Sequence, residues 1–171
     1  MKERLKNWIL NKYIGVRLKF ITLEKEAQNF PALIQRIKNI LVLLPIDNIL
    51  DNHVEQFISA LYKVFTDATI STFERKSFRK SDGNWFGLPS DTYMRHFTEE
   101  SFDLVIDLTS ENDRLSAYIC ALSGAPLRLR LFEGNFPHIY NLHIRTDPQK
   151  PLPERLNSIL EQMRVFKEGL K

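Results

Sequence analysis

Thiols are nearly absent. The one cysteine, Cys120, excludes an internal disulfide framework and any metal site built on several thiolates. Such sparing use fits a reducing compartment, so a cytoplasmic location is expected. Long apolar runs are missing as well: none approaches the roughly 20 residues that cross a bilayer. The start, "MKERLKNWILNKYIG", lacks the continuous apolar core and small-residue cleavage site of a signal peptide. Glycine is scarce, with six residues, and none falls in "LPIDNILDNH", residues 44–53. A dinucleotide fingerprint or a Walker loop needs glycine after its first strand, where backbone N–H groups close on phosphate, and both are excluded. His53, His96, His138 and His143 form no HxxxH or HxH pair, and no serine sits in a GxSxG elbow. No metal and no cofactor is expected.

Charge of either sign is held in check, with 24 Lys and Arg against 21 Asp and Glu. A net charge of +3 falls short of the dense basicity of a nucleic-acid binder. The surplus is local: Lys2, Arg4, Lys6, Lys12, Arg17 and Lys19 face only Glu3 in the first twenty residues. That stretch also places Leu5, Trp8, Ile9 and Tyr13 on one helical stripe. It reads as a basic amphipathic arm, residues 1–20, expected to dock on the rest of the chain by the stripe. The alternative use of such a helix is to reach a membrane surface or a partner.

What is plentiful is apolar patterning. Hydrophobic residues make up 43% of 171, enough for one α/β domain over residues 21–171. A short strand is expected in "VRLKFITLEKE", followed by a helical lead-in at Pro31. "NILVLLP", residues 39–45, is a short apolar run stopped by proline, the pattern of a strand covered on both faces. Val54, Phe57, Ile58, Leu61, Tyr62 and Phe65 then recur at helical spacing behind Asp51, and "DATISTF" is the next strand. A short helix around "DTYMRHFTEE" leads to "FDLVIDL", residues 102–108, the strongest central-strand pattern. A helix over about 113–123 ends at "SGA"; "PLRLRLF" alternates as a strand wet on one face; "HIYNLHIRT" is a fifth strand; and residues 153–168 form the last helix.

Strands alternating with helices of this length predict a three-layer, Rossmann-like or flavodoxin-like sheet, mostly parallel, with order 2-1-3-4-5. Ligands of such sheets lie at the carboxyl ends of the strands, where the order reverses. That edge carries Asp47, Asn48, Asp51, Asp107, Thr109, Ser110 and Asn112. Asp47, Asp51 and Asp107 either converge to hold Mg²⁺ or act as a base, or they cap helices and turn amides, the commoner use of aspartate there. Beyond the second strand, Arg75, Lys76, Arg79 and Lys80 adjoin "GNWFGLP". With Phe78, Trp85 and Phe86 they suit a clamp on a phosphorylated small ligand, while the same rings suit a plug over the core, expected to rest on the sheet's carboxyl end. Cys120, on a helix among small residues, reads as a buried hydrophobe.

Two resemblances attach to these motifs. "KNILVLLP", "VFTDATISTF" and "FDLVIDLTSENDRLSAYICALSGAPLRLRLF", within residues 38–132, resemble the amino-terminal half of family-nine glycosyltransferases, the lipopolysaccharide heptosyltransferase group. That resemblance implies a catalytic aspartate after the first strand, matched most nearly by Asp51, in a turn that here lacks the family's glycine and serines. The family's second, nucleotide-binding half has no counterpart in these 171 residues. From about residue 20, "GNWFGLP", "FDLVIDLT" and "ALSGA" resemble more closely a family of small uncharacterised proteins of Bacteroidetes-type bacteria. The function expected is therefore a non-catalytic binding or assembly domain, with a protein partner or a second copy of the chain as occupants to consider. Its rivals are a sugar- or nucleotide-handling enzyme using Asp51, and a membrane-surface or nucleic-acid protein acting through the amino-terminal helix.

Overall fold

The computed structural model describes residues 5, 8, 12–16, 30–45, 51–74, 78–83, 89–109, 113–133 and 136–168. Its centre is set by β-branched and leucine-rich runs too short for helices: β1 (Asn39–Leu43), β2 (Thr69–Phe73), β3 (Leu104–Asp107) and β4 (Leu127–Arg130). All pair in parallel, in the order β2-β1-β3-β4. Leu43 stands beside Asp107 in the register, and Asp107 beside Arg130, so these residues share the carboxyl edge. The helices are α1 (Phe30–Gln35), α2 (Asp51–Val64), α3 (Asp91–Glu99), α4 (Arg114–Leu122) and α5 (Leu152–Glu168).

Alternation along the strands divides the core in two. Ile40, Val42, Leu104, Ile106, Leu127 and Leu129 face one way, into a cluster closed by α2 and α5 through Phe57, Leu61, Leu156 and Ile159. Leu41, Leu43, Val105 and Phe73 face the other, toward Met94 of α3 and Tyr118 and Ile119 of α4. Helices therefore cover both faces of a parallel sheet, as the uninterrupted apolar strands require. The helix ends follow local chemistry. Ser90 accepts from the Tyr93 N–H at 3.2 Å and Asp113 from the Leu115 N–H at 3.0 Å, while Gly124 takes the left-handed φ of 68° just past α4.

Three expectations are corrected. The fifth strand does not form: among the described residues, "HIYNLHIRT" supplies only a single parallel bridge, Leu129 with Leu142. Phe136 in the left-handed region (φ 66°) and a 3₁₀ turn at Pro137–Ile139 bend the chain before it can extend. The Asn141 side chain then substitutes for a ladder, accepting from the Arg128 N–H at 2.9 Å and donating to the Pro126 carbonyl at 2.7 Å. The sheet thus has four described strands of the expected order, without the fifth.

β4 is not wet on one face either, for Arg128 is 2% exposed. Its guanidinium donates to the carbonyl of Ala125, just before β4, and to that of Ile139 in the loop after it, so the two flanking segments supply the acceptors that burial demands. Finally, Leu5 and Trp8 have helical backbone, as do residues 12–16, but the described part of the expected stripe does not dock: Leu5, Trp8 and Tyr13 are exposed, and Ile9 lies outside the described residues. The buried residue is Ile14, half a helical turn round from Leu5, which joins the second core cluster. Of "VRLKFITLEKE", Val16 continues that helix and the remainder lies outside the described residues.

Candidate functional site

Of the carboxyl-edge residues picked out by the strand pattern, Asp107 and Thr109 come together. Asp107 ends β3 fully buried, and its Oδ1 accepts from the Thr109 N–H at 2.9 Å and the Thr109 hydroxyl at 2.6 Å. Oδ2 accepts from the Tyr140 hydroxyl. Burial raises the Asp107 carboxyl above its ordinary range, opposed by these hydrogen bonds and by the positive charge of Arg130. Burial also raises the Tyr140 phenol, and the Asp107 charge adds to that shift. Both oxygens of Asp107 are engaged, and the pair fastens the carboxyl end of β3 to the loop that crosses β4. This is the turn-satisfying role rather than an open base.

Most of the other predicted residues lie outside the described residues. Asp51 is the first residue of α2 and Lys80 opens a 3₁₀ turn, Lys80–Asp82, but their side chains lie outside the described residues, as do Asp47, Asn48, Arg75, Lys76, Trp85, Phe86, Ser110 and Asn112. Arg79 is exposed, and its backbone N–H donates to Asp82 at 2.9 Å. Phe78 turns to the core, edge-on to Tyr93 at 5.3 Å between ring centroids. The two ends of the aromatic loop meet in an antiparallel bridge, Gly83 with Pro89. Cys120 is fully buried, and burial raises its thiol well above the ordinary value, the environment of an inert side chain. Among the described residues no three His, Cys, Asp or Glu side chains group as metal ligands, and no helix is long and apolar enough to cross a membrane.

A different set of side chains converges one strand further along the edge. A cleft of about 860 Å³ opens at the carboxyl end of β4, between the loop after it and the first turns of α5. Arg130, Tyr140, His143, Arg145, Thr146 and Arg155 line it, and among the described residues Glu133 is its one acidic side chain. Arg130 leaves the end of β4 and stacks its guanidinium on the Tyr140 ring, 5.1 Å from the centroid. Arg155 reaches back from α5, donating to the Leu131 carbonyl at 2.7 Å and to the Thr146 hydroxyl at 3.1 Å, with its guanidinium 4.7 Å from the Phe132 centroid. Arg145 and His143 stand exposed on the loop. Two guanidinium groups held by aromatic rings and the exposed Arg145 therefore border a space of small-ligand size.

Sequence reading missed this cleft. Arg130 is legible as a strand residue, but Arg145 and Arg155 share a cleft with it only through the tertiary path of the loop after β4. The one signal was a pair of arginines inside an otherwise apolar strand.

A family model described as a family of unknown function (DUF6913) matches residues 6–160. No curated protein matches the chain. No solved structure matches it.

Proposed function

The chain belongs to that family of unknown function, DUF6913, and we propose that it works as a binding domain for a small anionic ligand, a phosphorylated or carboxylated molecule held in the cleft beyond β4. The observation that carries this reading is the convergence of Arg130, Arg145 and Arg155 with His143 on one cleft, against Glu133 alone among the described acidic residues. Guanidinium groups suit phosphate and carboxylate because their planar fork donates two parallel hydrogen bonds to two oxygens. Stacking on Tyr140 and Phe132 holds Arg130 and Arg155 in place before a ligand arrives, which lowers the entropy lost on binding. Tyr140 is in turn held by Asp107, so the buried pair supports the cleft wall. Asp107 already spends both oxygens on Thr109 and Tyr140, which supports a structural rather than a base role for that carboxylate and favours binding as the reading.

A thermal-shift panel of pyrophosphate, nucleotides, sugar phosphates and dicarboxylates tests the reading. A ligand at a hundred times its Kd stabilises a fold by about 2.7 kcal/mol, a visible shift in Tm. Arg145→Ala, at an exposed position, is expected to keep the unliganded Tm and lose the shift. A silent panel, or a shift that survives in Arg145→Ala, contradicts the assignment.

A second reading follows from the resemblance to family-nine glycosyltransferases: a sugar- or nucleotide-handling role with Asp51 as base. It is favoured by one observation, that Asp51 opens the helix that follows β1, beside the reversal of strand order. Transfer or hydrolysis of a nucleotide sugar that vanishes in Asp51→Ala is the result this reading requires.

A further inference from the structure

Six large hydrophobic side chains stand exposed among the described residues, and four of them, Leu5, Trp8, Tyr13 and Val16, lie between residues 5 and 16. Their exposure is substantial: 58% for Leu5, 54% for Trp8 and 52% for Val16. On a helical wheel at 100° per residue, the positions of Leu5, Trp8 and Val16 fall within about a quarter turn of one another, the pattern of one ridge. Ile14 lies on the far side, 2% exposed in the core cluster beneath α3 and α4, and ties this helix to the sheet by the opposite face. The ridge therefore faces away from the protein. Isolated apolar side chains on a surface need no explanation, but several exposed together on one side of the helical wheel, tryptophan among them, mark a contact surface.

The charge around it says what the contact is. Lys2, Arg4, Lys6, Lys12, Arg17 and Lys19 accompany the ridge in sequence against Glu3 alone, while the chain beyond residue 20 holds slightly more acids than bases. Lys12 is exposed and stands over the Trp8 ring, its Nζ 4.7 Å from the centroid. Aliphatic and tryptophan side chains in a sequence segment rich in lysine and arginine are the composition that settles at the boundary between lipid headgroups and acyl chains. Tryptophan favours the headgroup level, and the cations meet lipid phosphates and carboxylates. A nucleic acid would use the same charge but leave Leu5 and Val16 without a role. We propose that this amino-terminal face docks the protein on an anionic membrane surface, with Leu5, Trp8 and Val16 entering the interface. The proposal is independent of the anion-binding cleft.

The test is co-sedimentation of the full chain with vesicles of one part phosphatidylserine to three parts phosphatidylcholine, and with phosphatidylcholine alone. The protein is expected to sediment with the anionic vesicles, to remain free of the neutral ones, and to bind less as salt shortens the reach of its charges. Leu5→Ser with Trp8→Ser alters exposed positions, so the Tm is expected to hold while vesicle binding falls by about tenfold or more. Lys6→Glu with Lys12→Glu is expected to weaken binding comparably, through charge alone. Three results overturn the proposal: no binding to anionic vesicles at low salt, unchanged binding in the serine variant, or binding to single-stranded RNA with none to vesicles.

Discussion

Asp107 and Tyr140 show what one buried pair does at the edge of a parallel sheet. Desolvation raises the carboxyl, so the folded state holds its proton more tightly than the unfolded chain, whose aspartates titrate near a pKa of about 3.9. The stability this contributes is complete below that unfolded value and is lost as pH rises through the higher folded one. Asp107→Asn lacks the titration, so its stability relative to wild type should improve from acid to neutral pH. Denaturant melts of both proteins across that range check the sign, and a gap widening in favour of wild type would contradict it. Tyr140→Phe removes the donor to Oδ2 and is expected to cost about 1–3 kcal/mol, the penalty of a buried acceptor left unpaired. The sequence marked Asp107 and Thr109, because a strand that ends in aspartate and threonine writes its turn chemistry locally. It could not mark Tyr140, whose partner lies 33 residues away.

At the scale of elements, local rules carried most of the architecture. Proline after "NILVLL", helical spacing behind Asp51, and the glycine past α4 each fixed a boundary that the structure keeps within a residue or two. Asp113→Ala should therefore cost about 1 kcal/mol by removing the α4 cap, measurable in a urea melt. The pattern failed where tertiary contacts decide. "HIYNLHIRT" alternates like a strand, yet the loop it forms serves Arg128, which takes two of its acceptors from the carbonyls of Ala125 and Ile139. Arg128→Met keeps the length of the side chain and strands both carbonyls, so a loss of at least about 2 kcal/mol is expected. A variant as stable as wild type would show that the loop holds β4 without the guanidinium, through the Asn141 hydrogen bonds and apolar contacts. The amino-terminal helix is the other case: its stripe was plain in the sequence, but which face docks depended on where Ile14 fits.

For the whole molecule, four parallel strands with helices on both faces leave the carboxyl edge as the place where side chains from distant segments meet. The sequence pointed to that edge, and it could not point to the cleft, whose arginines come from β4, the loop after it and α5. Membership of a family of unknown function gives the fold company without a mechanism, so the cleft's own chemistry carries the functional reading. The most direct measurement is a calorimetric titration of pyrophosphate into the wild-type protein and into Arg145→Ala. The account predicts one saturable site in the wild type, weakened by about 1.5–3 kcal/mol, the worth of a hydrogen bond to a charged group, in the variant. No heat of binding in the wild type, or equal affinity in the two proteins, would contradict it.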